Sequence, residues 1–391
     1  MGSYADIIKK RQKDWNCENL MTSAHAERGK KIPLSAPLMN YCLYGGIPRG
    51  KVTEFYGEPS GGKSTTAVDV CKNAIDVFKQ EHQEQIANLQ AEIAKGNKGK
   101  ISDLEDLIER GPKRVLYFDL EHSFDGAWAH TLGIDDSDID IMQPPDVVAE
   151  EILETMLDII ETGEVGLMVM DSLPSLVPRA ELEKKIGERT VAALSGLLAV
   201  FFRKLVPLLT RYDVTFLYIN QIRDNMDNPY VVNTPGGKSP KFYASLRIYF
   251  RIGQPVDFLG NELPQSTENP AGYIVQAKIT KQKSAPNNRR QGSYFLMCDS
   301  GLRPDFDFAK LAVTKYGICA KAGAWISLKD PNTMKPLEDD RGLPIKVNGL
   351  AKLYQYFQDH PDYYDMVKTF ILNDINGKPE DSQQDEELTL L

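Results

Sequence analysis

The chain has 391 residues, enough for one to three domains, and its 42% hydrophobic and 26% charged residues are typical of a globular protein. Its net charge of −9 argues against a nucleic-acid partner but leaves room for a basic path on one surface. Because no charge-free apolar stretch is long enough to cross a bilayer and the N-terminus has no apolar signal core, we expect a cytoplasmic protein with no membrane partner.

The predicted elements begin with an amphipathic helix over residues 3–14, which is too short to fold alone and needs a surface to dock on. After a stretch rich in proline and glycine, residues 52–56 are predicted as a strand, and a helix begins at Lys63. Strands and helices then alternate, as in α/β proteins. The further strands are predicted at 114–120, 139–142, 165–170 and 214–220, and the helices at 124–132, 147–162 and 191–209.

Three more strands, at 243–252, 273–283 and 293–298, follow without long helices between them. Parallel βαβ units followed by antiparallel strands predict one mixed, twisted sheet flanked by helices. The charged segment 83–110 has two runs of apolar residues at helical spacing, separated by a glycine-containing break, and is predicted to be an inserted helical hairpin. Helices dominate again after residue 305, which predicts a small C-terminal domain over 305–376, and the acidic tail 377–391 is expected to be disordered.

The strongest motif is a glycine-rich loop between the first long strand and its helix, Gly57-Glu58-Pro59-Ser60-Gly61-Gly62-Lys63-Ser64. It matches the P-loop pattern, in which glycines turn backbone N–H groups toward a phosphate and the helix N-terminus adds a favourable dipole. Lys63 would neutralise phosphate charge and Ser64 would bind Mg²⁺. Thr65, the next residue, is also predicted to contact the nucleotide. The motif therefore predicts ATP and Mg²⁺ as cofactors. The strand before it and the helix after it disfavour an ordinary glycine turn.

Two other strands end in carboxylates. The apolar strand at 165–170 leads into Asp171, as expected for a residue that holds Mg²⁺ through water. The strand at 114–120 leads into Glu121, which could orient and deprotonate an attacking water. An exposed acid at a strand end remains the alternative interpretation of Glu121.

Several strings that follow in chain order resemble one family, the bacterial RecA recombinases, in a diverged form of the kind that phages encode. The resemblance covers about residues 32–325, and the strings are jointly specific, whereas a P-loop alone is not. They are Asp119-Leu120-Glu121-His122, Asp171-Ser172, Asn220-Gln221-Ile222-Arg223, Thr234-Pro235-Gly236-Gly237, Lys241-Phe242-Tyr243-Ala244-Ser245, Lys281-Gln282-Lys283 and Lys321-Ala322-Gly323-Ala324-Trp325.

The resemblance implies an α/β fold with a RecA-like P-loop core over 32–304, an N-terminal polymerisation arm over 1–31 and a small C-terminal α/β domain. It implies a DNA-dependent ATPase that forms a helical filament on single-stranded DNA and exchanges strands with a homologous duplex in recombination and repair. Single-strand-binding and loader proteins are further candidate partners. The expected location is the bacterial cytoplasm, or the host cytoplasm if a phage encodes the chain.

For individual residues, the resemblance implies that Glu121 is the catalytic carboxylate and that Gln221 senses the γ-phosphate. Asp125 and Trp128 would lie against adenine. The lysine pair would reach into the ATP of a neighbouring subunit, so that hydrolysis depends on assembly. The pair is Lys281 and Lys283.

Two loops, at about 178–191 and 223–240, resemble the DNA-binding loops of the family. The basic residues and backbone amides of the second loop would hold phosphates, and one apolar residue in each loop would insert between bases. The phosphate contacts are Arg223, Gly236, Gly237 and Lys238, and the inserted residues are Val191 and Met226. Gly196 stands where bacterial members have an arginine, for which Arg189 could compensate.

Two alternatives remain open at this point. A hexameric DNA helicase with a RecA-like core would share the P-loop and the strand ending in Asp171, but should lack the strings at 241–245 and 321–325. A regulatory ATP-binding protein would share the core without using it as a motor. Retention of Glu121, Gln221 and the lysine pair argues against this second alternative.

Overall fold

The structure, a computed structural model, describes residues 6, 9–10, 13, 29–146, 148–185, 193–223 and 233–376. The chain divides into residues 1–30 and a second unit that begins at Lys31. Within the first unit the described residues at positions 6, 9, 10 and 13 are helical, in agreement with the helix predicted over 3–14. The acidic tail 377–391 lies outside the described residues, so its predicted disorder stays a prediction.

A nine-stranded mixed sheet runs through the second unit. Two short strands precede it, β1 (Lys31–Ile32) and β2 (Ile47–Pro48), which pair with each other. The nine strands are β3 (Val52–Gly57), β4 (Arg114–Asp119), β5 (Ile139–Met142), β6 (Val165–Asp171), β7 (Thr215–Gln221), β8 (Leu246–Val256), β9 (Gly272–Gln282), β10 (Gln291–Met297) and β11 (Gly301–Leu302). Their order is β11-β10-β9-β8-β3-β7-β6-β4-β5. Strands β8 to β5 are parallel and β8 to β11 are antiparallel, which confirms the predicted mixed sheet.

Helices cover both faces of the parallel strands. The helices of this part of the chain are α1 (Pro37–Leu43), α2 (Lys63–Ala94), α3 (Ile101–Arg110), α4 (Gly126–Thr131), α5 (Ala149–Glu161), α6 (Arg179–Leu182), α7 (Ala193–Tyr212) and α8 (Ser239–Tyr243). Along β7, Leu217 faces the core beneath α2 and Phe216 faces the core beneath α5 and α7. A strand that is buried on both faces is apolar throughout, and such short apolar runs predict strands in the sequence.

Helix α7 is the one helix in the described parts of the chain that is long and apolar enough, by length and composition alone, to cross a bilayer. It packs on the sheet, where Phe202 and Leu205 are buried in the second core. One face of α7 therefore contributes to the interior of the fold.

The inserted segment differs in one respect from the predicted hairpin. Helix α2 continues without a break from the glycine-rich loop to Ala94, because no glycine or proline interrupts residues 63–94. Its buried residues end at Phe78, so the remainder projects beyond the core. Helix α3 returns along it, with the His82 Nε2 atom 3.0 Å from the carbonyl oxygen of Leu107, and none of the α3 residues is buried.

The C-terminal segment combines helices with a small antiparallel sheet. The helices are α9 (Pro304–Thr314), α10 (Gly349–Asp359) and α11 (Pro361–Asn376), and the strands are β12 (Cys319–Ala322), β13 (Trp325–Leu328) and β14 (Lys346–Asn348). The helical pattern after residue 305 gave no sign of these strands, which are too short for a clear alternation, whereas the α/β C-terminal domain implied by the resemblance includes them. The third core of this segment also takes in Val256 and Phe295 of the nine-stranded sheet.

The insertion is predicted to contribute little to stability. Replacing residues 84–106 with a short glycine-rich turn should change the midpoint of thermal unfolding by less than about 3 °C, because the removed residues leave the core intact. Phe78→Ala, at the last buried position of α2, should cost about 3–5 kcal/mol because it opens a cavity beneath the sheet. Calorimetry of both variants checks the contrast, and a large loss of stability on replacing 84–106 would contradict it.

Candidate functional site

The carboxyl ends of four neighbouring parallel strands bring the predicted site residues to one edge of the sheet. Gly57 at the end of β3 pairs in register with Gln221 at the end of β7. Asp119 at the end of β4 pairs with Asp171 at the end of β6. In open α/β sheets, ligands bind outside this edge.

The glycine-rich loop has a backbone that only small residues permit. Gly57 and Gly62 have φ values of 153° and 81°. A Cβ atom on Gly57 would lie 2.1 Å from the carbonyl oxygen of Phe250. Because α2 begins at Lys63, the first backbone N–H groups of the helix lack intrahelical partners and are available at the loop. This geometry fits a bound phosphate.

Lys63 lies inside the loop with 8% of its surface exposed. Its Nζ donates to the carbonyl oxygens of Glu58 at 2.6 Å and Gly57 at 3.3 Å. Burial lowers the pKa of Lys63, and the nearby carboxylates, led by Asp171 and Glu121, oppose that shift. An anionic group in the loop would further favour the charged ammonium.

Asp171 and Ser64 place side-chain oxygens that could hold a metal ion next to each other. Asp171 is 3% exposed, and its carboxylate accepts hydrogen bonds from the Tyr117 hydroxyl at 2.7 Å and from Ser64. Burial raises the pKa of Asp171, as do the charges of Glu121 and Asp119, while the two hydroxyls lower it. A buried carboxylate with few donors and two like charges nearby is stabilised by a cation. The pair fits Mg²⁺, which takes one or two protein oxygens and completes its shell from phosphate and water.

Glu121 is brought together with Gln221, as the sequence predicts for a catalytic carboxylate and a phosphate sensor. The Gln221 Nε2 atom donates to Glu121 Oε1 at 3.2 Å. The Ser172 hydroxyl donates to the same oxygen. No role is predicted for Ser172 from the sequence, although it follows Asp171 directly in the Asp171-Ser172 string.

Asp119 anchors the turn that presents Glu121. Its carboxylate is fully buried and accepts from the backbone N–H groups of Ser123 at 3.1 Å and Phe124 at 2.8 Å, and from Gln143 Nε2 at 2.8 Å. Burial raises the pKa of Asp119, but these hydrogen bonds outweigh burial and the pKa is lowered. Asp119 is therefore a structural carboxylate, whereas Glu121 is exposed at the site.

The two predicted adenine contacts lie at the start of α4. Asp125 caps the helix, accepting from the Trp128 N–H at 3.1 Å. The Trp128 ring lies 4.0 Å from the position of a Cβ atom on Gly301 in β11. Leu296 in the neighbouring strand β10 lies 3.1 Å from the position of a Cβ atom on Gly62. The ring and the glycine-rich loop therefore flank the same pair of strands.

The lysine pair lies away from the loop. Lys281 pairs in register with Arg247, and Arg247 pairs with Glu54, three residues before the end of β3. The Lys281 Nζ donates to the carbonyl oxygens of Lys241 at 2.6 Å and Phe242 at 2.9 Å, at the C-terminus of α8. Burial, followed by the charges of Lys283 and Arg247, lowers the pKa of Lys281 to about 8. The pair thus faces the opposite edge of the sheet from the glycine-rich loop.

The predicted DNA contacts are only partly described. Arg189, Val191 and Met226 lie outside the described residues. The Arg223 N–H donates to the carbonyl oxygen of Asn233 at 2.8 Å, which closes the base of the second loop.

The two glycines of the second loop have a packing role. Gly236 and Gly237 have φ values of 91° and 79°. A Cβ atom on Gly236 would lie 2.9 Å from Leu198, and one on Gly237 would lie 2.6 Å from the Ser195 hydroxyl oxygen. The close approach to α7 therefore explains why glycine stands at both positions. Lys238 is exposed beside them.

Comparisons with known proteins agree with this geometry. The family described as the RecA N-terminal domain matches residues 105–303, which include Glu121, Asp171, Gln221 and the lysine pair. Protein RecA of Thermus thermophilus is 32% identical over 300 residues, covering 76% of this chain and 75% of that protein. Protein RecA of Thermus aquaticus is 29% identical over 331 residues, covering 84% and 80%. Protein RecA of Bacteroides thetaiotaomicron is 29% identical over 309 residues, covering 78% and 79%.

The loop geometry predicts the effect of removing its lysine. Lys63→Ala should weaken binding of a fluorescent ATP analogue with Mg²⁺ by at least about tenfold, because a charge-assisted contact to phosphate is lost. Lys72→Ala is the matched control, since Lys72 lies on the same helix and pairs with Asp76 at the surface. Equal affinity of the Lys63→Ala variant and the control would contradict the assignment of the loop.

Proposed function

The chain belongs to the RecA family of recombinases, and from that premise we propose that it is a DNA-dependent ATPase that assembles on single-stranded DNA and exchanges strands with a homologous duplex. One observation carries the proposal most directly: the two parts of the predicted catalytic set face opposite edges of the sheet. Glu121 and Gln221 lie beside the glycine-rich loop, and the lysine pair lies toward the amino ends of β3 and β8.

The separation of the lysine pair from the loop supports catalysis between subunits. Glu54, which is level with Arg247 and hence with Lys281, is three residues from Gly57, roughly 10 Å along the strand. Lys281 also points toward α8 rather than the loop. A head-to-tail arrangement would bring the lysines of one subunit to the loop of the next, and a contact of this type that does not close generates a filament.

Within one subunit, each residue at the loop has a distinct part. The loop amides, Lys63 and Ser64 would bind and orient the phosphates, and Asp171, through water, and Ser64 would hold the metal ion. Bound ATP and Mg²⁺ supply the phosphoryl group and the charge that keeps it in place. Glu121 accepts a proton from the attacking water, while Ser172 and Gln221 fix the orientation of its carboxylate.

Gln221 also offers a route from nucleotide to DNA. It is bonded to the catalytic carboxylate, and the second loop begins two residues later at Arg223. A change in the contacts of Gln221 would therefore act on the base of the loop that is proposed to hold single-stranded DNA. The homologous duplex and further copies of the chain complete the proposed partners, in the cytoplasm, and loader and single-strand-binding proteins remain predictions.

A hexameric helicase is the less favoured alternative. The strings at 241–245 and 321–325, which we expected a helicase to lack, stand in the described part of the chain as α8 and the β12–β13 hairpin. The lysine pair is held by the first of these strings. The recombinase proposal accounts for both features.

The first test separates nucleotide binding from hydrolysis. Glu121→Gln keeps the shape of the side chain but loses the base, so hydrolysis stimulated by single-stranded DNA should fall by about 10²-fold or more while ATP binding stays near that of the parent. Glu161→Gln, at the exposed end of α5, is the control. Hydrolysis at the parent rate would make Glu121 an ordinary acid at a strand end.

The second test concerns catalysis between subunits. Lys281→Ala should bind ATP as single subunits but lose DNA-stimulated hydrolysis. An equal mixture with Lys63→Ala should recover up to about a quarter of the parent rate, because only that share of random head-to-tail contacts joins an intact loop to an intact lysine pair. Mixing Lys63→Ala with the Lys63→Ala/Lys281→Ala double variant is the control and should recover nothing. No recovery at any ratio with Lys281→Ala would count against the arrangement.

A further inference from the structure

A charged network lies within the sheet between the two edges. Glu54, in the middle of β3, is completely buried. One carboxylate oxygen accepts from Asn220 Nδ2 at 3.0 Å, and the other accepts from Arg247 Nε. A buried ion pair adds little net stability compared with apolar residues of the same size. Stability alone therefore does not explain why an ion pair occupies the central strand.

On one side, the network reaches the proposed catalytic residues. Asn220 Oδ1 accepts from the Gln221 N–H at 3.0 Å, and Gln221 holds Glu121. The Asn220 side-chain amide also lies 3.3 Å from the carbonyl oxygen of Pro235 and donates to it. One buried amide thus joins Glu54 to the start of the second loop and to the segment that leads out of it.

On the other side, the network reaches the lysine pair. The Arg247 guanidinium lies 4.6 Å from the centre of the Tyr56 ring. In the sheet, Arg247 pairs in register with Lys281 on the neighbouring strand β9. Burial and the charge of Arg247 lower the pKa values of Lys241 and Lys281, and Glu54 opposes both shifts. The Glu54 carboxylate therefore provides counter-charge for the basic groups at the amino edge of the sheet.

We infer that Glu54 is a positioning residue that couples the nucleotide edge of the subunit to the base of the second loop and to the lysine pair. Asn220 cannot follow a displacement of Gln221 without weakening its bonds to Glu54 and Pro235. In a low-dielectric interior such a loss is costly, so the groups shift together rather than independently. This inference rests on the proposed function, in which Gln221 responds to nucleotide and the second loop holds DNA.

The test removes the pair without leaving a charge behind. Glu54→Leu/Arg247→Met replaces both partners by apolar side chains of similar volume and should melt near the parent temperature. Glu54→Leu alone should melt lower, because Arg247 then stays buried and unpaired. The readout is the affinity for fluorescent single-stranded DNA with a non-hydrolysable ATP analogue, divided by the affinity with ADP.

In the double variant, the ratio of the DNA affinity with the ATP analogue to that with ADP should fall at least about fivefold. Its affinity for the ATP analogue itself should change less than about twofold. Asn220→Ala removes the amide that joins Glu54 to Gln221 but keeps the ion pair, and it should lower the same ratio by a similar factor. This variant replaces the double variant if the latter does not fold. Arg303→Met/Asp305→Leu removes a half-buried pair outside the network, where Arg303 Nη2 lies 2.6 Å from Asp305 Oδ2, and should keep the parent ratio.

The outcomes separate the inference from the proposal beneath it. If the parent binds DNA equally with the ATP analogue and with ADP, the proposed function fails and the inference falls with it. If the parent responds to nucleotide and the folded variants respond equally well, the proposed function stands and the coupling role of Glu54 is overturned. A parent-like melting temperature with a reduced ratio is the result that a purely structural ion pair would not give.

Discussion

Parallel pairing in register, of β3 with β7 and of β4 with β6, is the constraint on which the site depends. The pairing brings the glycine-rich loop, Gln221, Asp171 and the turn bearing Glu121 to one edge. Each of these residues comes from a different part of the chain, and none would be near the others without the sheet. The apolar cores on both faces fix the register, because a slip by one residue would exchange the two faces of every strand.

Three buried carboxylates illustrate how the same group is put to different uses. Asp119 accepts two backbone N–H groups and an amide, so its charge is fully compensated and its pKa is lowered. Asp171 accepts from two hydroxyls and lies near other carboxylates, so its pKa is raised and a cation would stabilise its charged form. Glu54 is paired with Arg247 inside the sheet. The number and charge of the donors, more than burial itself, assign the role of each carboxylate.

Much of the fold and the site could be predicted from local patterns. The apolar strands and the glycine-rich loop have strong local signatures, and the turn with Glu121 follows from its position after a strand. The prediction of a strand from residue 243 was wrong at its start, because α8 extends to Tyr243 and β8 begins at Leu246. The first helix of the predicted insertion was not recognised as a continuation of α2, because its apolar residues indicate a helix but do not show whether that helix is separate from the one before it. The role of Ser172 and the Glu54–Arg247 pair depend on contacts between distant segments, which no local pattern contains.

Assembly is central to the proposed function, in which the lysine pair of one subunit serves the nucleotide of another. Electron microscopy of the full chain with single-stranded DNA and a non-hydrolysable ATP analogue tests it most directly. We expect open helical filaments that follow the DNA and are sparse when ADP replaces the analogue. Closed rings, or single subunits at every protein concentration that saturates the DNA, would contradict it.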